Sequence, residues 1–136
     1  MPGDPKASAR PTILVVDDDP EFLRSLELLL QVDGFAVTTA ENGVRGLQAF
    51  RNRGPDIVLI DVMMPRLDGL EAVRQMLRER PAAKIVVMSG STRPDTQDLL
   101  AAAREAGASA VLEKPFEPAA LRQVLHEVLR RETAPG

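Results

Sequence analysis

The sequence predicts an α/β domain built on a five-stranded parallel sheet of order 2-1-3-4-5, doubly wound with five helices. Short runs that are apolar throughout, such as Thr12 to Val16 and Ile57 to Ile60, read as strands buried on both faces. They alternate strictly with segments whose apolar residues recur at helical spacing. The joining loops are short, so the chain must return by right-handed crossovers that lay the strands parallel. Five such units are too few for an eight-stranded barrel, which leaves an open sheet with its switch point between the first and third strands.

The elements follow in order. Met1 to Arg10 mixes Pro, Gly, Ser and Ala and reads as a disordered lead-in to a domain spanning 11–131. After the first strand, Asp19 is suited to cap a helix and Pro20 to its first position. That helix carries Phe22, Leu26, Leu29 and Leu30 inward and stops at Asp33-Gly34. Phe35 to Thr39 forms the second strand, and Asn42-Gly43 opens a second helix with Val44, Leu47 and Phe50 inward, ending before Gly54-Pro55. The third strand leads to Asp61, and a helix from about Gly69 to Arg80 turns Leu70, Val73 and Leu77 inward. Lys84 to Met88 is the fourth strand, followed by Ser89-Gly90-Ser91 and a helix opened by Pro94 and Asp95 and stopped by Gly107. Ser109 to Leu112 is the fifth strand, the last helix runs from Glu117 or Pro118 to Arg131, and 132–136 is a disordered tail.

Composition removes several classes of function. Of the 136 residues, 44% are hydrophobic and 27% charged, which fits a soluble globular domain with a core of its own. A net charge of -3 supplies no basic field for nucleic acid. The chain has no cysteine, so thiolate metal sites and disulfides are excluded, and one histidine, His126, cannot make a polyhistidine site. No apolar run approaches a membrane span and the N-terminus lacks a signal-peptide core, so a cytoplasmic location without membrane contact is expected.

The polar residues that interrupt the apolar pattern fall at carboxyl ends of strands: Asp17 and Asp18 after the first, Asp61 after the third, Ser89 after the fourth and Lys114 after the fifth. Parallel strands put these ends on one edge, where open α/β sheets bind ligands. Three converging carboxylates resist joint ionisation unless a cation relieves them. Oxygen ligands alone favour Mg²⁺ or Mn²⁺ over zinc. With a lysine and a hydroxyl beside it, such a site suits a phosphoryl group attacked by a carboxylate. Each residue alone has a plainer reading: Asp17 to Asp19 as a helix cap cluster, Asp61 as a turn acid, Ser89 as a turn residue. Their coincidence at strand ends favours a site. Met63 and Met64 read as packing residues.

The segments ILVVDDDP, DIVLIDVMMPRLDG, VVMSG and LEKPF, in this order, resemble the receiver domain of two-component response regulators over about Thr12 to Arg131. The resemblance implies a flavodoxin-like fold in which Asp61 accepts a phosphoryl group from a histidine kinase or histidine phosphotransfer protein. It implies Mg²⁺ held by Asp17, Asp18, Asp61 and the backbone carbonyl of Met63, with Ser89 as switch hydroxyl and Lys114 as phosphate-binding lysine, its bond to Pro115 cis. It further implies a non-enzymatic signalling module, monomeric or weakly dimeric when phosphorylated. Its face of fourth helix, fifth strand and fifth helix would signal to a protein partner or output domain. The chain departs from the family where Val111 replaces a frequent aromatic residue and Gly90 a frequent alanine. Ala108 to Val111 also lacks the paired acids typical of the winged-helix transcription factors of this family. Two other readings compete: a Mg²⁺-dependent phosphohydrolase of haloacid-dehalogenase type, which needs an acid where Met63 stands, and a receiver-like interaction domain that is never phosphorylated.

Overall fold

The computed structural model describes residues 10–65, 68–90 and 94–131, so the expected lead-in, the tail and Ser91 lie outside the described residues except for Arg10. The elements are β1 (Thr12–Val16), α1 (Pro20–Val32), β2 (Ala36–Ala40), α2 (Gly43–Arg53), β3 (Ile57–Asp61), α3 (Asp68–Glu79), β4 (Ile85–Ser89), α4 (Thr96–Ala106), β5 (Ala110–Glu113) and α5 (Pro118–Arg130). The strands form one parallel sheet in the expected order β2-β1-β3-β4-β5.

Chain direction decides which face each helix covers. The steps β2 to β3, β3 to β4 and β4 to β5 all cross the sheet the same way, so right-handed crossovers place α2, α3 and α4 on one face. The step β1 to β2 runs the other way and puts α1 opposite, where α5 joins it. Strand side chains alternate accordingly. Leu14, Val16, Val58 and Ile60 pack with Phe50, Val73 and Met76 on one face, while Ile13, Val15, Ile57 and Leu59 pack with Leu26, Leu30, Leu121 and Leu125 on the other. All five residues of β3 and of β4 are buried, as expected for strands covered on both sides.

The helix starts follow their caps. Asp19 accepts from the backbone N–H groups of Glu21 at 3.0 Å and Phe22 at 3.4 Å, and Asn42 accepts from Arg45 N–H at 2.8 Å. The stops at Gly34 and Gly107 have φ of 96° and 117°, the left-handed region in which glycine ends a helix without strain.

Several local expectations shift. Strands β2, β4 and β5 each begin and end one residue later than the apolar runs suggest. Phe35 keeps its buried ring, but its N–H bonds Leu30 O and so belongs to the exit of α1. Ser89 and Glu113 are polar, yet they continue the ladder opposite each other. In α1, Leu23 is fully buried while Phe22 and Leu29 are only partly so. Val44 does not face inward; it is 65% exposed. The buried stripe of α2 is Gly43, Gly46 and Phe50, because the helix lies so close to β1 that Gly46 abuts Val16.

A second close approach fixes α3. A methyl group on Gly69 would meet the backbone of β3, the carbonyl oxygen of Asp61 and the Cα of Val62 at 2.8 Å. Backbone atoms cannot swing aside as the Val16 side chain can beside Gly46. Gly69→Ala is therefore expected to destabilise the fold by about 3 kcal/mol and Gly46→Ala by about 1 kcal/mol. Urea unfolding of the two variants gives the comparison.

Candidate functional site

Hydrogen bonds that run one residue past the strands align the functional ends. Asp17 N–H donates to Ala40 O at 3.1 Å, Val62 N–H to Met88 O at 3.1 Å and Lys114 N–H to Ser89 O at 2.7 Å. The register pairs Val16 with Ile60, so the acids that follow β1 and end β3 stand side by side. Lys114 follows β5, and its peptide bond to Pro115 is cis.

Asp17, Asp18 and Asp61 each present a carboxylate oxygen within 4.8 Å of the others, a spacing that can hold a metal ion. Asp17 is 1% exposed and Asp61 6%, whereas Asp18 faces solvent. Lys114 Nζ lies 2.6 Å from Asp17 Oδ2 and 3.2 Å from Asp61 Oδ2. The other oxygens are also engaged: Asp17 Oδ1 accepts from Asp19 N–H at 2.9 Å, and Asp61 Oδ1 from Met63 N–H at 2.7 Å. These residues line one open cavity of about 550 Å³ with Phe22, Gly90 and Pro115. A neighbouring cleft of about 690 Å³ shares Asp18 but holds neither Asp61 nor Lys114.

Burial and charge compete within this cluster. Burial pushes Asp17 above the usual carboxylate range and Asp61 adds to the push, against the Lys114 ammonium and the Asp19 N–H. Burial works against the Lys114 charge, but the hydrogen bond to Asp17 and the charges of both acids outweigh it, and its pKa is raised.

Of the residues expected from sequence, Asp17, Asp18, Asp61, Met63 and Lys114 share the cavity. Ser89 lies at the tip of β4, 3% exposed, immediately before Gly90, which lines the cavity wall. Val111, opposite Val87 in the sheet, is half-buried against the α2–α4 face. His126 is exposed on α5, with its ring 6.5 Å from that of Phe35. Two contacts were not legible as site features. The Phe22 ring lies under Lys114 Nζ at 4.1 Å from its centroid, and Asp68 accepts a hydrogen bond from Gly43 N–H, tying the start of α3 to α2. The Asp68-Gly69 pair marks a turn in sequence, but nothing local points Asp68 at α2.

Residues 13–126 match the response regulator receiver domain. The chain belongs to this family. The receiver domain is 40% identical over 119 residues to the transcriptional regulatory protein CseB of Streptomyces avermitilis, covering 88% of this chain and 49% of that one. It is 42% identical over 119 residues to the response regulator MprA of a Mycobacterium species (strain KMS), covering 88% and 50%. The chain thus spans about half the length of these curated relatives. Among solved structures, it matches a CheY-like receiver domain protein of Methanospirillum hungatei with TM-score 0.82 and 28% identity over 89% of this chain and 94% of that one. A receiver domain from Clostridium thermocellum matches with TM-score 0.80 and 29% identity over 89% and 95%. Among the described residues, no helix is long and apolar enough to cross a membrane.

In the receiver domain Lys114 is the cation that pairs with both buried carboxylates, Asp17 and Asp61. Lys114→Met keeps the apolar stem and removes the charge. Without added divalent cation it is expected to lower stability by about 2 kcal/mol, less than for a wholly buried pair because solvent reaches the site. Combining it with Asp17→Asn should recover much of that loss, as a double-mutant cycle by thermal or urea unfolding will report.

Proposed function

We propose that this receiver domain accepts a phosphoryl group on Asp61 from a histidine kinase or histidine phosphotransfer protein and passes the signal to a partner or output domain. The observation that carries the reading is the convergence of Asp17, Asp18 and Asp61 with the Lys114 ammonium around one open cavity, in a chain of this family. Such a site fits Mg²⁺, or Mn²⁺, because every donor in it is a hard oxygen and the acids need a cation. Asp17, Asp18, Asp61 and the Met63 carbonyl would hold the ion, which supplies charge neutralisation for the phosphoryl oxygens.

This chain's residues do the rest. An Asp61 carboxylate oxygen attacks phosphorus, the phosphorus–nitrogen bond to the donor histidine breaks, and its electron pair returns to the imidazole. Lys114 shifts from Asp17 toward the arriving negative oxygens, which is open to it because its stem is flexible. The Ser89 hydroxyl donates to a phosphoryl oxygen and draws the end of β4 and Gly90 toward it. The product is a signal rather than a turnover product, so the domain acts as a phosphoacceptor and not as an enzyme on a separate substrate. It acts in the cytoplasm, as a monomer or weak dimer, and without contacting nucleic acid itself. A phosphohydrolase of haloacid-dehalogenase type would need an acid at Met63, and the thioether there cannot act as a general acid.

With acetyl phosphate and Mg²⁺, intact mass should show one added phosphoryl on the wild type, none on Asp61→Asn, and none on either when the metal is chelated. Equal labelling of wild type and Asp61→Asn would exclude Asp61 as the acceptor.

The output face should be that of α4, β5 and α5, because Ser89 ends β4 and α4 is the next element in the chain. Val111 has a short, stiff side chain and no ring to turn inward. Amide shifts on adding fluoroberyllate should therefore be largest at Gly90 and the start of α4, and small at Val111. Dominant shifts in α2 would contradict this route.

A further inference from the structure

We propose that Phe22 is a positioning residue for the phosphoryl site, holding the Lys114 ammonium over its ring so that it stays aimed at Asp61. The proposal rests on the phosphoacceptor reading and adds a residue from α1 to it.

An ammonium has three N–H donors and is best held when each faces a partner. Lys114 Nζ gives two to Asp17 and Asp61, and its third side faces the Phe22 ring at 4.1 Å from the centroid. That is well within the range in which the negative face of an aromatic ring attracts a cation. The lysine stem runs close over Gly90: a methyl group there would stand 2.9 Å from Lys114 Cδ, so the stem occupies space that a larger residue would fill. The ring itself is braced. Phe116, two residues after the lysine, meets Phe22 edge to face, with centroids 6.1 Å apart and planes at 73°. Phe22 is therefore doing more than contributing to the inner face of α1, and it lines the same cavity as the acids.

The nature of the contact matters. A hydrogen bond would tie the ammonium to one direction, whereas the attraction of a ring face tolerates sliding over the ring. Nζ can leave Asp17 for an oxygen on the Asp61 side without giving up the ring. Removing the ring frees the ammonium to swing toward solvent, and the charge that should meet the phosphoryl oxygens is lost for part of the time. The Phe22 side chain brings no oxygen ligand to Asp17, Asp18 and Asp61, so losing its ring should not weaken their hold on a cation.

The experiment compares wild type, Phe22→Leu and Phe22→Trp by proton–carbon NMR of the Lys114 side chain and by titration with Mg²⁺ and then with fluoroberyllate. In the wild type the Lys114 Hε resonances should lie upfield through the ring current. They should move downfield in Phe22→Leu and stay shielded in Phe22→Trp. Fluoroberyllate affinity should fall roughly threefold to tenfold in Phe22→Leu, the factor a partly desolvated cation–ring contact is worth, with Mg²⁺ affinity not reduced and Phe22→Trp restored. Unmoved Lys114 resonances in Phe22→Leu, or Mg²⁺ affinity falling in parallel with that for fluoroberyllate, would overturn the proposal. A wild type that binds no fluoroberyllate would instead count against the phosphoacceptor reading, and the Lys114 resonances would then decide the role of Phe22 alone.

Discussion

Two carboxylates buried at the ends of adjacent strands repel each other, and one ammonium stands between them. Lys114 Nζ reaches both Asp17 and Asp61. The strand ends β1, β3 and β5 are thereby joined across the sheet edge by charge, where the regular ladder gives out. The arrangement holds because the ladder bonds run one residue further at these ends, at Asp17, Val62 and Lys114. Geometry set by backbone hydrogen bonds is what lets so few charged groups meet at hydrogen-bond distance in a dense interior.

The surrounding elements serve the same corner of the molecule. Gly69 lets α3 begin against the carbonyl of Asp61, and Asp68 reaches across to the first N–H of α2. Asp17 and Asp19 divide the labour at the start of α1: one turns into the site and accepts the N–H of the other, which caps the helix. Three consecutive acids thus have three separate environments, one buried, one exposed within reach of the other carboxylates, and one spent on the helix. Substitutions along Asp17-Asp18-Asp19 should not be interchangeable for that reason.

Much of this was legible in the chain because the signals are local. An acid after an unbroken apolar run reads as a strand tip, which located Asp17 and Asp61, and Lys114 stands between the last apolar run and Pro115. The one-residue offsets of β2, β4 and β5 were not legible, because a ladder is closed by its neighbour's backbone and not by the last apolar side chain. Val44 misled for a related reason: the inner stripe of α2 contains glycines, which carry no hydrophobic signal, and the valine lies off that stripe. The contact between Phe22 and Lys114 joins residues far apart in sequence, and an apolar residue in the first turn of α1 reads equally well as core.

That the central cation is a lysine follows from what it must do. Arginine would offer a planar fork that locks onto a carboxylate in two places, a good device for a permanent link. Here the link cannot be permanent if charge is to arrive on Asp61. Among the described residues each oxygen of Asp17 and Asp61 has one donor, and a carboxylate oxygen can accept a second partner, so a cation can be taken up without dismantling the network. A point charge on a flexible stem can then follow the greatest negative charge, and the stem's path over Gly90 limits where it can go. The resting network is accordingly close enough to tie both acids to one cation and loose enough to be rearranged by a change of charge at a single carboxylate.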